Sequence, residues 1–257
     1  MSNIELLIVF MKKIVSVLSV MIMGCTAVFA QGKGVDSSEE KNLLTIGDGP
    51  FTTEFVSYFA FGDHSFLGAS GDFEKASNNR STEFVFNIIE LRLRPYQGAK
   101  ISLGVDFDWD YYRLSKDYYW QPDSNNGSVA IAARDAGGFS KIKKSNLNVR
   151  TLSVPLSFEQ DFGKCTFRIG AAGEYNFPAR TRFKAIDNNG AKVKENRSGA
   201  RFADNIKTND FTYNIFAAFA FEGVGVYVKY NPMPQIMEGS GPQFKTLTFG
   251  VICGLGK

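Results

Sequence analysis

The sequence predicts an all-β protein in which one antiparallel sheet closes into an up-and-down transmembrane β-barrel. Three observations lead to this prediction. Eight segments alternate apolar and polar residues with period two, the connections between them are alternately short and long, and no run of comparable length has helical periodicity. Eight is therefore the expected number of strands, and a further hairpin within the long connections would make it ten.

The first 30 residues have the pattern of a secretory signal peptide. Lys12 and Lys13 precede an apolar run, and Val28 and Ala30 occupy the small-residue positions before an expected cleavage site. This pattern predicts export across the inner membrane. No later segment has the roughly 18 or more consecutive apolar residues that a membrane-spanning helix needs.

The boundaries around the signal peptide follow from the same stretch. Met11 directly precedes the basic pair, so we expect it to be the true start, with the first ten residues an over-long gene prediction. A competing interpretation makes Cys25 a lipidated N-terminus, although Met23 and the apolar residues after the cysteine argue against it. Residues 31–50 are polar and Gly-rich and predict a flexible periplasmic lead. The barrel is predicted to occupy residues 51–257.

The predicted strands follow one another in an up-and-down order. They cover residues 51–61, 82–94, 99–112, 147–158, 165–177, 210–221, 224–231 and 244–255. The short connections PYQG, EQDFGK and EG have the composition of tight turns. The long connections span residues 62–81, 113–146, 178–209 and 232–243. Every long connection therefore falls at one end of the sheet, which is typical of outer-membrane barrels and is not expected of a soluble lipocalin-like barrel.

The third strand, which contains ISLGVDFDWDYY, separates acids from apolar residues. Asp106, Asp108 and Asp110 share one parity, and apolar or aromatic residues occupy the other. About 11 residues at ~3.3 Å each, tilted by ~45°, stand about 25 Å tall, which matches the apolar band of a bilayer. We therefore predict that the acids face the lumen and that the apolar side chains face lipid. The alternative is a soluble sheet with a solvated acidic face.

Charged side chains on the polar parities predict a paired network inside the barrel. They are Glu90, Arg92, Arg94, Asp106, Asp108, Asp110, Arg150, Arg168, Glu174 and Lys229. Acids and bases nearly balance, as expected for buried charges, which persist only when they are paired. The lumen of an eight-stranded barrel is filled by such side chains and leaves little path for water.

Aromatic residues cluster where the third strand leads into a long connection, and they predict a girdle at the membrane interface. They are Trp109, Tyr111, Tyr112, Tyr118, Tyr119 and Trp120. Trp and Tyr are enriched at this level of a membrane protein because their rings are amphipathic. The alternative is a small hydrophobic core within the connection.

The connection 178–209 is strongly basic. Its candidate polyanion-binding residues are Arg180, Arg182, Lys184, Lys192, Lys194, Arg197 and Arg201. With Lys207 they outnumber three acids and give the segment a net charge of +5. Lipopolysaccharide phosphates are the partner that this charge suggests, and a merely solvated loop is the alternative. The net charge of the whole chain, +3, does not indicate a nucleic-acid partner.

The sequence indicates no enzyme, no metal site and no cofactor. Asp63, His64 and Ser65 are adjacent, which suggests acyl transfer or hydrolysis, but adjacent residues in a connection seldom point together. The acids of the third strand lack the loop and the glycine of calcium sites. Cys165 and Cys253 are not expected to form a disulfide, because two other strands separate the strands that contain them and the sulfurs cannot come within bonding distance.

Two stretches in the second half of the chain carry a family resemblance. LSVPLSFEQDFGKCTFRIGAAGEYNF reads as a strand, a tight turn and a Gly/Ala-rich return strand, and GVGVYVKYNPMPQIMEGSGPQFKTLTFGV reads as a final hairpin. From about residue 148 onward the chain resembles the small outer-membrane barrels of the PorT-like, "outer membrane protein beta-barrel domain" group. The resemblance implies residence in a Gram-negative outer membrane, and one branch of the group is associated with protein secretion. The chain ends in Lys257 rather than in the terminal aromatic residue of other barrel families.

The expected function is that of a non-enzymatic outer-membrane protein. We expect a monomer that contacts outer-membrane lipid and displays long extracellular loops for structural or surface-binding roles. One alternative is a narrow porin-like channel. Another is a component of an envelope protein-secretion assembly with an envelope protein as its partner. The fold itself does not specify a ligand, a partner or a biological role.

Overall fold

The structure is a computed structural model, and it describes residues 45–46, 51–54, 58–69, 72–77, 81–94, 97–123, 125–194 and 205–255. The predicted signal peptide lies outside the described residues. So do Arg197 and Arg201 of the basic connection. None of the helices in the described ranges is long and apolar enough to cross a membrane.

Strands dominate the described part of the chain. They are β1 Thr45–Ile46, β2 Phe51–Glu54, β3 Phe59–Leu67, β4 Ser81–Leu93, β5 Ala99–Arg113, β6 Tyr118–Asp123, β7 Ser128–Ala133, β8 Phe139–Phe162, β9 Cys165–Asp187, β10 Lys192–Lys194, β11 Phe211–Phe221, β12 Val224–Asn231 and β13 Lys245–Cys253. A short helix, α1, covers Asp72–Ala76, and a single 3₁₀ turn covers Asp135–Gly137.

Eight of the strands form a closed antiparallel ring. Its order is β3, β4, β5, β8, β9, β11, β12 and β13, and β13 pairs with β3 to close it. The predicted eight-stranded up-and-down barrel is therefore confirmed. A further hairpin does exist in the second long connection, but β6 and β7 pair with each other and stay outside the ring.

The pairing register gives the tilt of the strands. Starting at Leu93 in β4, successive pairs lead through every strand of the ring and return to β4 at Thr82, an offset of 11 residues. At ~3.3 Å per residue and ~4.8 Å between strands, this offset gives a tilt of about 43°. The outward side of β5 from Ile101 to Tyr111 then stands about 24 Å tall, close to the ~25 Å band of membrane barrels.

Some strand boundaries differ from the prediction because pairing decides where a strand ends. The predicted first strand, 51–61, consists of β2 followed by β3 along the same edge of β4, and β3 continues to Leu67. β8 and β9 are 24 and 23 residues long, so β8 includes the last part of the connection predicted at 113–146, and β9 includes the first part of the one predicted at 178–209. β1 lies within the segment 31–50 that the sequence predicts as a lead, and it pairs with β2.

Two β-bulges change which parity faces the lumen. In β4, Ile88 is an extra residue opposite β5, so odd-numbered side chains point inward before it and even-numbered ones after it. In β9 the pairing shifts between Phe177 and Arg180. Even-numbered side chains of β9 therefore point inward up to Asn176 and outward beyond Pro178.

Tight turns close the end of the barrel opposite the long connections. Between β11 and β12, Glu222 (φ 50°) and Gly223 (φ 88°) both have positive φ, as a two-residue type I′ hairpin requires. Lys164 of the neighbouring turn forms an ion pair with Glu222, and its carbonyl accepts a hydrogen bond from the Glu222 amide at 2.9 Å. The two ends of the barrel thus differ as the alternating connection lengths predict.

Candidate functional site

The barrel is apolar outside and polar inside. Outward side chains that are about half exposed occur on strands all around the ring, for example Phe61, Leu103, Leu156, Ile215 and Val251 at 48–57%. Asp106, Asp108 and Asp110 are buried in the lumen. Soluble proteins do not leave an apolar surface of this extent in water. The wall therefore has the character of a surface that contacts lipid.

The lower layer of the lumen, near the tight turns, is centred on Arg168. Its Nη2 lies 3.3 Å from Glu90 Oε2, and its Nη1 lies 3.3 Å from Glu159 Oε1. Arg92 Nε donates to Glu90 Oε1 at 2.8 Å. The ring of Tyr58 lies 4.9 Å from the Arg168 guanidinium carbon. These side chains are buried, so each charge depends on its partners for stabilisation.

The middle layer is centred on Lys229. Its ammonium pairs with Glu83 and lies 3.2 Å from Asp108 Oδ2. The Tyr227 hydroxyl donates to Glu83 Oε2 at 2.7 Å. A cavity of about 50 Å³ between this layer and Arg168 has room for only a few water molecules. The lumen is therefore filled rather than open at this level.

His64 lies above Lys229 and is buried. Its Nε2 is 2.9 Å from Asp110 Oδ1, and its Nδ1 is 2.8 Å from Thr248 Oγ1. Asp63 and Ser65 lie on the opposite face of β3, so the acyl-transfer group suggested by their adjacency does not form. The connectivity from Asp110 through His64 to Thr248 is that of a hydrolytic triad, but all three side chains are buried away from any substrate. Among the described residues, no group of three or more His, Cys, Asp or Glu is placed to hold a metal ion.

Glu174 is held by neutral donors. Thr212 donates to its Oε2 at 2.7 Å, and Asn214 donates to its Oε1 at 2.6 Å. Asn231 Nδ2 lies 3.1 and 3.0 Å from the two oxygens. The four residues come from β9, β11 and β12, so this set of bonds fixes the three strands in register from the inside.

An apolar cluster, here named the plug, fills the outer end of the lumen. It consists of Phe73, Ala76, Tyr112, Leu114, Trp120, Val129, Leu147, Val149, Ala179, Ile206, Ile236 and Phe244. All four long connections contribute to it, with Phe73 in the first, Trp120 in the second, Ile206 in the third and Ile236 in the fourth. The rings of Phe73 and Phe244 stack with centroids 4.8 Å apart. The connections thus fold over the lumen and close it.

A second cluster, on β6, β8 and β9, organises the region outside the plug. Tyr119, Phe139, Ile142, Phe183 and Ala185 pack together there. They join the β6–β7 hairpin to the projecting ends of β8 and β9, along whose edge β10 pairs. We name this assembly of β6, β7, β10 and the ends of β8 and β9 the outer lobe.

The predicted aromatic girdle is wrong for four of its six residues. Tyr112 and Trp120 belong to the plug, Tyr118 packs against it, and Tyr119 belongs to the outer lobe. The structure instead fits the alternative of an apolar core within the connection. Trp109 and Tyr111 do point outward from β5, at the upper edge of the apolar wall.

Most predicted lumen charges lie where the sequence suggested. Those that are buried in the lumen are Glu90, Arg92, Asp106, Asp108, Asp110, Arg168, Glu174 and Lys229. Arg94 is half-buried just beyond the end of β4. Arg150 is exposed, and the prediction is wrong for it because it shares the outward parity of Leu152 and Leu156.

Sequence reasoning missed several lumen groups. Glu83 was hidden by the bulge in β4, before which the odd-numbered residues face inward. Glu159 and Lys100 lie near the predicted ends of strands, and Lys100 Nζ is 3.1 Å from Asp161 Oδ2. A change of apolar parity along β4 is the signal that indicates its bulge.

The basic residues predicted as a loop lie mainly in a sheet. Arg180, Arg182 and Lys184 belong to β9, and Lys192 and Lys194 belong to β10. Cys165 and Cys253 lie at the same level of the barrel with two strands between them, and no disulfide joins them.

Glycines at one level of the lumen make room for a ring. Gly62 and Gly250 are paired across β3 and β13, and a Cβ at either would collide with Tyr227 and with neighbouring backbone. We expect Gly250→Ala to lower the free energy of unfolding by about 1–3 kcal/mol through overpacking. Urea unfolding in lipid vesicles measures the change. Gly173→Ala is the control, since nothing lies within 4 Å of its added Cβ, and equal stability of the two variants would contradict the argument.

Comparison with known proteins adds little to this geometry. No protein-family model matches the sequence, and no curated protein matches it. Among solved structures, the chain is similar to neisserial surface protein A, with 11% identity and a TM-score of 0.32, over 82% of this chain and 100% of that one. It is also similar to Ail, the attachment invasion locus protein of Yersinia pestis, with 9% identity and a TM-score of 0.29, over 77% of this chain and 95% of that one. The assignment of a closed barrel rests on the strand pairing.

Proposed function

We propose that the protein is an integral outer-membrane barrel that does not conduct and that presents a folded outer lobe to the cell exterior. The plug is the observation that carries the proposal, because all four long connections fold into the outer end of the lumen. Beneath it, the layers around Lys229 and Arg168 fill the barrel with paired charges. Such a lumen supports display by the loops better than transport through the ring.

Membrane residence is supported by the outer wall and by the lengths of the connections. The wall is apolar over a height of about 24 Å, and a bilayer provides an apolar band of that height. The short turns lie at one end, and the outer lobe lies at the other, where outer-membrane barrels place their extracellular loops. In the outer membrane, the outer lobe would therefore face the medium.

Conductance is the experiment that tests the proposal. Purified protein that is incorporated into planar bilayers should show no discrete channel steps, whereas a porin-like channel would show them. Gel mobility checks that the purified protein is a folded barrel, because a closed barrel migrates differently with and without boiling in detergent. Regular conductance steps from heat-modifiable protein would overturn the proposal in favour of the channel, and co-purification of stoichiometric envelope proteins would favour a secretion assembly.

The two tryptophans provide a direct test of which side faces lipid. Trp109 lies on the outer wall and Trp120 is buried in the plug, and the chain has no other tryptophan. In vesicles of brominated phospholipid, Trp120→Phe should leave a fluorescence that is strongly quenched, because bromine quenches only indoles that it contacts. Trp109→Phe should leave a fluorescence close to that in ordinary lipid. Equal quenching of both variants would mean that the wall is assigned to the wrong environment.

A further inference from the structure

The outer face of β5, β8, β9 and β10 carries a ladder of basic residues that rises directly from the lipid-facing wall. Paired positions define its rungs. From the wall outward they are Trp109–Arg150–Phe177, Tyr111–Asn148–Arg180, Arg113–Asn146–Arg182, Lys144–Lys184–Lys194 and Lys141–Ile186–Lys192. We name the nine Arg and Lys side chains of these rungs the basic ladder.

The basic ladder is not recognisable as one group in the sequence, because its residues come from four strands. The bulge at Pro178 turns Arg180, Arg182 and Lys184 to the outer face, whereas even-numbered residues before it face the lumen. Arg150 joins them from β8, where it shares the outward parity of the apolar wall. The basic connection that the sequence singled out therefore supplies only part of a larger surface.

The charges on the ladder are all of one sign. No acidic residue occupies a position in the five rungs. In one rung Lys144, Lys184 and Lys194 are direct neighbours across three strands, an arrangement that disfavours the folded sheet. The opposite face of β9 packs against β6 through Tyr119 and Phe183, so the ladder lies on the face that is turned away from β6. An anion with several charges would offset this repulsion.

The position of the ladder identifies the anion. Its first rung holds Arg150 between Trp109 and Phe177, at the upper edge of the apolar wall. The nine residue-to-residue steps from Phe177 to Ile186 span roughly 30 Å along β9, or about 22 Å along the membrane normal at the tilt of the barrel. A dissolved polyanion has no need for cations at the level of the lipid surface. A lipid that carries phosphorylated sugars meets both requirements, because its acyl chains contact the wall and its phosphates lie beside the rungs above.

We propose that the basic ladder binds the phosphorylated saccharide head group of a glycolipid in the same leaflet. Arg150 and Arg180 would contact the phosphates nearest the acyl chains, and Arg guanidinium groups suit them because they donate two parallel hydrogen bonds. Lys184 and its neighbours would contact phosphates farther from the membrane. This proposal rests on the proposed membrane function, since the first rungs have meaning only in a bilayer.

Purified lipid A provides the probe. The protein is reconstituted in nanodiscs of zwitterionic phospholipid, and its affinity is measured for bis-phosphorylated lipid A and for the same lipid after removal of both phosphates. We expect binding that needs the phosphates. Removing one cation from each of four rungs with Arg150→Gln, Arg180→Gln, Arg182→Gln and Lys184→Gln should weaken binding by at least about tenfold, since each cation near an anionic surface adds to the attraction. Added salt should weaken wild-type binding as well.

A matched variant separates the ladder from overall charge. This variant removes the same number of positive charges from exposed positions outside the ladder, with Lys116→Gln, Lys164→Gln, Lys207→Gln and Lys245→Gln. Its affinity should stay within about twofold of the wild type. The proposal is overturned by unchanged affinity of the ladder variant, by an equal loss in the matched variant, or by equally tight binding of a soluble polyanion such as heparin. Heat-modifiable mobility shows that each variant is a folded barrel, so failure to fold is distinguished from failure of the ladder.

Discussion

Replacing Arg168 with methionine is expected to lower the free energy of unfolding by about 3–5 kcal/mol. The guanidinium is the shared partner of Glu90 and Glu159, and all three side chains are buried. Methionine fills much of the same volume but leaves two carboxylates with less compensation in a site of low dielectric. Urea unfolding of the barrel in lipid vesicles, followed by tryptophan fluorescence, measures the loss.

Two further variants show whether the loss comes from the uncompensated carboxylates. Glu159→Gln, introduced together with Arg168→Met, should recover part of the stability, because one buried negative charge is then gone while Glu90 keeps its pair with Arg92. Lys164→Met removes a cation from the exposed pair with Glu222 and should change stability by less than about 1 kcal/mol. If Arg168→Met unfolds at the wild-type urea concentration, the lower layer does not stabilise the barrel.

Trp120→Ala is expected to have an effect of similar size, about 3–5 kcal/mol, but confined to the plug and the connections that form it. Trp120 is 1% exposed, and its Nε1–H donates to the Tyr112 carbonyl at 3.0 Å. Its removal leaves a cavity at the centre of a cluster to which every long connection contributes. Limited proteolysis of protein in intact vesicles should therefore cut the connections sooner than in the wild type, while the strands of the ring stay protected.

Trp109→Ala is the matched control for this experiment, because it removes the other indole from the outer wall and leaves the plug complete. Its connections should resist protease as those of the wild type do. Conductance should remain absent in Trp120→Ala, since the charged layers below the plug still fill the lumen. Equal rates of proteolysis in the two tryptophan variants would show that the plug does not hold the connections.

The alternation within strands, the alternately short and long connections and the height of the third strand were enough to predict the barrel and the direction of its faces. In β5 the acids and the apolar residues keep one parity from Ile101 to Tyr111, so no pairing information was needed to place Asp106, Asp108 and Asp110 inside. The same reasoning failed where a bulge changes the parity. Glu83 and Glu90 have opposite parity in the sequence, yet both face the lumen, because Ile88 is inserted between them.

Tertiary packing decided the features that the sequence left open. Trp109 and Trp120 lie in similar aromatic surroundings in the sequence, but one faces outward from the ring and the other lies in the plug. The difference depends on Phe73, Ile206 and Ile236, which reach the same place from distant connections. No local sequence pattern around residue 120 predicts that these residues pack together. The basic ladder was only partly visible for the same reason, since its rungs exist only once four strands are in register.

Because of the bulge at Pro178, one inserted residue decides which face of the sheet carries the β9 residues of the basic ladder. Deleting Pro178 while β9 kept its pairing near Asn176 would turn Arg180, Arg182 and Lys184 to the inner face of the sheet, and would turn Phe183 to the outer face. The presence or absence of one residue thus decides whether these cations lie on the outer face of the sheet or against its apolar core. The gain or loss of one residue at this point would therefore change the charge of the outer surface without any change in the ring below.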